Sequence, residues 1–238
     1  MSNLVKYPRT CHLPWSDSNS SDDVWWSMKD VEANFGGREV VITEKLDGEC
    51  TTMYRDHTHA RSVDSLGHPS RDWVRRLHGS LKHDIPENWR VCGENCYAYH
   101  SIFYHLPTYF FVFGIYTDKN VCLSWDETVQ WCELLELHTV PVLYRGVWDT
   151  DKCRSIWTGK STFPTFASPD EYPEWPKNFE PTTGEGYVIR LTDSFRYEDF
   201  KKSAAKYVRS NHVQTSTQWM MRPVVPNLIH LAAENHTV

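Results

Sequence analysis

Gly36-Gly37 separates two stretches whose apolar residues keep incompatible periods, and this break constrains the fold more than any other feature of the chain. Before it, Val24, Met28, Val31 and Phe35 recur at the spacing of one helix face, with Ser21 to Asp23 as N-cap candidates, so a helix is expected over 24–35. After it, Arg38 to Glu44 (REVVITE) is β-branched, Leu46-Asp47-Gly48-Glu49 has turn chemistry, and Cys50 to Arg55 reads as a second strand. Asp-Gly is a strong hairpin signal, so the expectation is a hairpin with Lys45 at its bend.

The remaining pattern continues the mixture. A basic amphipathic helix is predicted near 70–83, with Trp73, Leu77 and Leu81 on one stripe and Arg71, Arg75, His78 and Lys82 on another. Strands are predicted at 89–95, 109–117, 140–144 and 184–191, and a helix at 125–137 opened by the capping box Ser124-x-x-Glu127. Prolines 164, 169, 173, 176 and 181 forbid helix and central strand alike, which makes 163–181 a long surface loop. No internal repeat of solenoid or propeller type is present, and the fold class expected is α+β with antiparallel pairing.

Composition narrows the function classes. With 25 Lys and Arg against 31 Asp and Glu the net charge is −6, which argues against a chain built as one large polyanion-binding surface. A mean hydropathy of −0.57 with 40% hydrophobic residues fits a protein that folds in water. The longest apolar stretch, Tyr109 to Tyr116, is far short of the roughly 18 to 20 residues a bilayer requires. Without a secretory signature at the start, and with seven widely spaced cysteines, the expectation is a cytoplasmic protein with reduced thiols.

Lys45 is the candidate nucleophile. At an ordinary pKa of about 10.4 only roughly one lysine in 2,500 is neutral at pH 7, so attack on phosphorus needs desolvation or neighbouring cations to lower that value. Four residues alone do not separate this from a plain surface turn. The case rests on order: Glu44-Lys-Leu-Asp-Gly48, Ala60-Arg61-Ser62, Val91-Cys-Gly-Glu94, Phe110-Phe-Val-Phe-Gly-Ile115, Glu185-Gly-Tyr-Val-Ile-Arg190 and Lys201-Lys-Ser-Ala-Ala-Lys206. This succession resembles the collinear motifs of the covalent nucleotidyltransferases, and within them the nick-sealing, phage RNA ligase 2-like RNA ligases. Glu44 immediately before the lysine, Cys50 where DNA ligases and capping enzymes carry arginine, and the lead-in Tyr7 to Trp15 all point that way.

The resemblance implies an antiparallel-sheet, ATP-grasp-like adenylation core with flanking helices, formed by residues 1–209, and a short extension 210–238 with no OB domain. It implies an ATP- and Mg²⁺-dependent RNA ligase, Mn²⁺ serving as substitute, that acts as a monomer on RNA 3′-hydroxyl and 5′-phosphate ends in RNA repair. Lys45 would carry AMP as a phosphoramidate; Glu44 would take the adenine amino group, Arg61 the phosphate or sugar, Glu94 the ribose or the metal. Phe113 would stack on the base, Glu185 would bind the metal, and Lys202 and Lys206 would neutralise phosphates, with Arg209 adding to the basic cleft. The usual sixth motif is a Lys-x-Lys pair, whereas this chain has Lys201, Lys202 and Lys206; a four-residue spacing puts Lys202 and Lys206 on one face in helix or strand.

Rival readings are a DNA ligase or GTP-dependent guanylyltransferase of the same superfamily, and a non-catalytic relative that binds nucleic acid or nucleotide. Intact Lys45, Glu94 and Glu185 speak against the last, and Glu44 against GTP. The Arg71, Arg75, His78 and Lys82 stripe reads equally as a phosphate grip or a solvated helix face. Cys92 and Cys96 have no second pair downstream, which disfavours zinc. Thr217 to Leu231 reads as a closing helix interrupted by Pro223 and Pro226.

Overall fold

The alternating apolar runs of this chain become two facing β-sheets, each backed by helices. A computed structural model describes residues 4–17, 24–166, 183–210 and 223–229. In chain order the first elements are β1 (Cys11–His12), α1 (Met28–Phe35), β2 (Glu39–Lys45), β3 (Glu49–Met53), β4 (Thr58–Ala60), α2 (Asp72–Leu81), β5 (Arg90–Asn95), β6 (Phe103–Leu106) and β7 (Phe110–Tyr116). There follow β8 (Val121–Cys122), α3 (Trp125–Leu134), β9 (His138–Thr139), β10 (Val142–Val147), α4 (Thr150–Ser155) and β11 (Thr165–Phe166). The last are β12 (Gly186–Leu191), β13 (Phe195–Arg196), α5 (Phe200–Ser203), β14 (Ala204–Val208) and β15 (Leu228–Ile229).

One sheet has five strands in the order β1-β14-β12-β2-β10. The other runs β13-β8-β7-β5-β3-β4, with β9 added beside β7, and a three-stranded patch β11-β6-β15 lies apart. Most pairings are antiparallel; β1 on β14, β9 on β7 and β15 on β6 are parallel. The period of two along each strand sorts its side chains between layers. Val40 and Ile42 of β2 pack outward with Val31 and Phe35 of α1, while Val41 faces inward with Phe111 and Phe113 of β7. Behind the second sheet, Phe110 and Val112 meet Val74 and Leu81 of α2 and Cys132 of α3.

A buried arginine fastens the two sheets. Arg190 of β12 donates from Nη1 to the carbonyl of Phe113 at 3.3 Å, from Nη2 to that of Leu123 at 2.6 Å and from Nε to that of Leu191 at 3.1 Å. Its guanidinium also lies over the rings of Trp125 and Phe195. Carbonyl partners on this scale are what lets a charge remain buried.

Several sequence expectations change here. β2 and β3 do not form a hairpin: β2 is flanked by β12 and β10, β3 by β4 and β5, and the Leu46–Gly48 turn carries the chain from one sheet to the other. A central strand paired on both edges leaves no place for its sequence neighbour. α1 begins at Met28 because Ser27 and Asp30 form a reciprocal capping box, so Val24 lies outside the helix, and the N-cap candidates Ser21 to Asp23 lie outside the described residues. The basic stripe on α2 is broken up: Arg71 turns inward to Glu49, and the His78 ring nitrogen Nε2 hydrogen-bonds the Tyr54 carbonyl at 2.6 Å.

Of the proline-rich segment, Thr165 and Phe166 pair with β6 and 167–182 lie outside the described residues. Within Thr217 to Leu231, Pro226 bridges to Ala98 and Leu228–Ile229 form a strand, so that part is extended, not helical; 217–222 and 230–231 lie outside the described residues. The prolines remove the amide donors and fix φ at positions a helix would need. Among the described residues no helix is long and apolar enough to cross a membrane, and no group of three or more His, Cys, Asp or Glu is arranged to hold a metal.

Candidate active site

Between the sheets lies a cavity of about 750 Å³, lined from both sides. Thr43 and Lys45 of β2, Val188 of β12 and Lys206 of β14 face it from one sheet; Cys50, Glu94 and Phe113 face it from the other. The order of motifs in the sequence thus becomes a convergence in space. Lys45 ends β2 at the point where the chain leaves one sheet for the other, and the following turn is held from several directions. Asp47 Oδ2 accepts the backbone N–H of Ser101 at 2.8 Å, the Ser101 hydroxyl at 2.6 Å and the N–H of Ile102 at 3.0 Å. The Asp47 N–H donates to the Tyr104 hydroxyl at 3.1 Å. Gly48 closes the turn because a Cβ there would stand 2.6 Å from the Asn95 carbonyl oxygen.

Lys45 Nζ lies 2.6 Å from Glu185 Oε1. Burial alone would favour the neutral amine, but Glu185 and Glu94 outweigh it and hold the pKa above the ordinary lysine value. Desolvation was expected to lower that pKa; in this state the lysine is an ammonium paired with a carboxylate. Glu94 is the complement. Burial, opposed by Lys45 and reinforced by Glu185 and Asp47, pushes its carboxyl up to about 8, while the Gly48 N–H donates to it. Lys45 and Glu94 line the cavity, whereas Glu185, paired with Lys45, is not among its lining residues.

The other predicted residues divide. Arg61, following β4, lines the cavity, and its Nε is buried without a hydrogen-bond partner among the described residues. Phe113 lines the cavity from β7 opposite Val188 on β12. Glu44 is buried, with Oε1 accepting the Ser161 hydroxyl at 2.5 Å and Oε2 the Thr162 N–H at 2.8 Å; its pKa is raised by burial against those hydrogen bonds. A carboxylate has about four lone-pair sites, so this leaves acceptor capacity toward the cavity, which Glu44 also lines.

Lys206 lines the cavity and Lys202 does not. The expected shared face fails because α5 gives way to β14 between Ser203 and Ala204, and neither a 3.6 nor a 2.0 period runs through the junction. Residues on the cavity face two apart are instead Ala204 and Lys206. Lys201 and Lys202 are exposed, and Arg209 donates from Nε to the Gly184 carbonyl at 2.8 Å, away from the cavity lining.

Sequence reasoning assigned no role to the segment Tyr7 to Thr10, which lines the cavity. The Tyr7 ring packs on Phe113 at 4.8 Å and on Phe200 at 5.3 Å, and Arg9 adds a cation to the wall. The only sequence signal was the family-like lead-in. Arg71 and Glu49 also line the cavity, but as a bidentate pair at 2.7 and 2.5 Å that neutralises both.

A family profile described as RNA ligase matches residues 38–208. No curated protein matches the chain in sequence. Among solved structures, an apo single-substitution form of Naegleria gruberi RNA ligase is 20% identical with a TM-score of 0.53, covering 79% of this chain and 53% of that one. A second substituted form of the same enzyme, with ATP and Mn, is 16% identical with a TM-score of 0.53, covering 88% of this chain and 63% of that one. At these identities the likeness is one of fold, and the chain spans less than two thirds of the length of either structure.

Proposed function

Because the chain belongs to the RNA ligase family, through a match that takes in β2 to β14, we propose that it is an ATP-dependent RNA ligase that joins 3′-hydroxyl and 5′-phosphate ends through a lysyl-AMP intermediate. On this reading the two-sheet cleft is an ATP-grasp-like adenylation core, and residues 1–209 are the nucleotidyltransferase domain. The observation that carries it is Lys45 at the sheet-to-sheet turn, 2.6 Å from Glu185, in a cavity walled by Phe113 and Val188 from opposite sheets. The related Naegleria enzyme is seen with ATP and Mn, which supports the choice of nucleotide and divalent ion.

Lys45 Nζ attacks the α-phosphorus of ATP, a nitrogen–phosphorus bond forms as the bond to pyrophosphate breaks, and the ammonium proton must leave first. Phe113 and Val188 take the two faces of the adenine, and Glu44 accepts from its amino group, which guanine replaces with a carbonyl. Arg61 and Lys206, with Arg9 at the rim, set positive charge where the phosphates lie; Arg71 and Arg190 are already committed to Glu49 and to backbone carbonyls. AMP then passes to an RNA 5′-phosphate, and a neighbouring 3′-hydroxyl displaces it to seal the strand. Throughout, the chain's part is to hold the reacting atoms in line.

Glu94 and Glu185 fit a hard divalent ion: oxygen-only donors, two in number, suit Mg²⁺, which keeps waters and takes phosphate oxygens for the rest of its shell. When bound, such an ion supplies charge neutralisation at the phosphates and removes the carboxylate charge that keeps Lys45 protonated.

The test is incubation of the purified protein with Mg²⁺ and α-labelled ATP or GTP, followed by denaturing electrophoresis, with Lys45→Ala alongside. Label from ATP only, lost in the variant, is expected. Label from GTP, or label retained by Lys45→Ala, overturns the assignment.

A further inference from the structure

We propose that Asn227, downstream of the family match, is a positioning residue for the nucleophile turn, acting through Tyr104. This deepens the reading of Lys45 as nucleophile and rests on it. Asn227 lies 19 residues beyond the end of the match at 208, yet it is buried and bonded through every polar group. Its N–H donates to the Tyr97 carbonyl at 2.8 Å and its Nδ2 to the Cys96 carbonyl at 2.8 Å; its Oδ1 accepts the Tyr104 N–H at 2.8 Å and its own carbonyl the Tyr109 hydroxyl at 2.7 Å. Next to it, Leu228 and Ile229 pair in parallel with His105 and Leu106.

The two backbones that Asn227 ties together are the two that cradle the lysine turn. On one side the end of β5 meets Gly48: a Cβ on Gly48 would lie 2.6 Å from the Asn95 carbonyl oxygen, and Asn227 grips the next two residues, Cys96 and Tyr97. On the other side Ser101 and Ile102 hold the Asp47 carboxylate, and Tyr104 both receives the Asp47 N–H on its hydroxyl and donates its own N–H to Asn227. Asn227 therefore sets the spacing between the walls of the slot in which Leu46, Asp47 and Gly48 sit. Lys45 is the residue immediately before that slot, and its reach to phosphorus depends on where the slot holds it. Misplacement by about 1 Å is enough to cost on the order of 100-fold in rate.

The experiment separates this from general support of the fold by comparing two reactions of the full-length protein. Single-turnover formation of the covalent AMP adduct uses Lys45 as nucleophile; sealing of a pre-adenylated nicked RNA, without ATP, does not. Tyr104→Phe keeps the buried ring and removes only the hydroxyl that receives Asp47. Adduct formation at saturating ATP is expected to fall about 10-fold or more with the ATP concentration dependence unchanged, while pre-adenylated sealing stays within about 2-fold. Asn227→Ala, confirmed folded by circular dichroism, is expected to change in the same direction by a larger factor. Adduct formation by Tyr104→Phe at the wild-type rate, or an equal loss in both reactions, overturns the proposal. A wild-type protein that forms no adduct, or a Lys45→Ala variant that does, fails the nucleophile reading instead, so the two failures are told apart.

Discussion

The Leu46–Gly48 turn and the Phe200–Lys206 segment each carry or adjoin a lysine assigned to phosphate chemistry, and the fold holds them differently, one by side-chain bonds to a turn and the other by the backbone ladder of β14. Around the turn, Asp47 takes three donors, its N–H finds Tyr104, and Gly48 is wedged against Asn95. Around the second segment, Lys201 and Lys202 project into solvent, and of its lysines only Lys206 reaches the cavity, from the strand β14 that pairs with β1 and β12. The difference matches the tasks. A nucleophile must be placed to a fraction of an ångström along the line of attack, whereas a cation that stabilises developing charge acts through a field that falls off more gently with distance.

The comparison can be broken at either end. Asp47→Ala removes the acceptor of three hydrogen bonds in a buried turn and strands their donors, so adduct formation should fall by about 100-fold or more, with stability reduced by on the order of 3 kcal/mol. Single-turnover adenylation beside urea unfolding checks both, and a variant that loses stability alone would show that the tethers serve only the fold. Lys206→Ala should slow adenylation by roughly 10- to 100-fold with little change in unfolding midpoint. A large stability loss there would mean that Lys206 is structural.

Glu94 supplies a pH test. Its folded carboxyl titrates near 8, far above the unfolded value, so the native state holds a proton that the unfolded state has lost. Its contribution therefore makes stability fall as pH rises through that window and level off above it. Glu94→Gln mimics the protonated form and should flatten the decline in melting temperature between pH 6 and 9, while abolishing metal-dependent adenylation. A wild-type melting temperature that rises over the same window contradicts the assignment. The smallest effect is expected of Lys202→Ala, within about 2-fold of wild type in every step, since its side chain is solvated.

What could be read from the sequence follows from the range of the forces involved. The box Ser124 to Glu127 and the stop at Gly36-Gly37 are local, and both appear where expected. The β-branched run Arg38 to Glu44 marked β2 within a residue at either end. The partner of that strand was not legible, because the Asp-Gly turn that suggested a hairpin owes its shape to Ser101, Ile102 and Tyr104, more than fifty residues away. The placement of Lys202 failed for a related reason: Ser203-Ala-Ala205 suits helix and strand alike, and only the pairing of Ala204 and Ala205 with β12 decides. Arg190, which binds the sheets together, looked from sequence like the end of a motif, and its three carbonyl partners come from three places in the chain.

The central claim is that one lysine carries the nucleotide. Protein incubated with ATP and Mg²⁺, digested and analysed by mass spectrometry should show the mass of an adenylyl group on the peptide containing Lys45, and on that residue when the peptide is fragmented. An adenylyl group on Lys206, on Lys202 or on any other side chain, with Lys45 unmodified, would contradict the account.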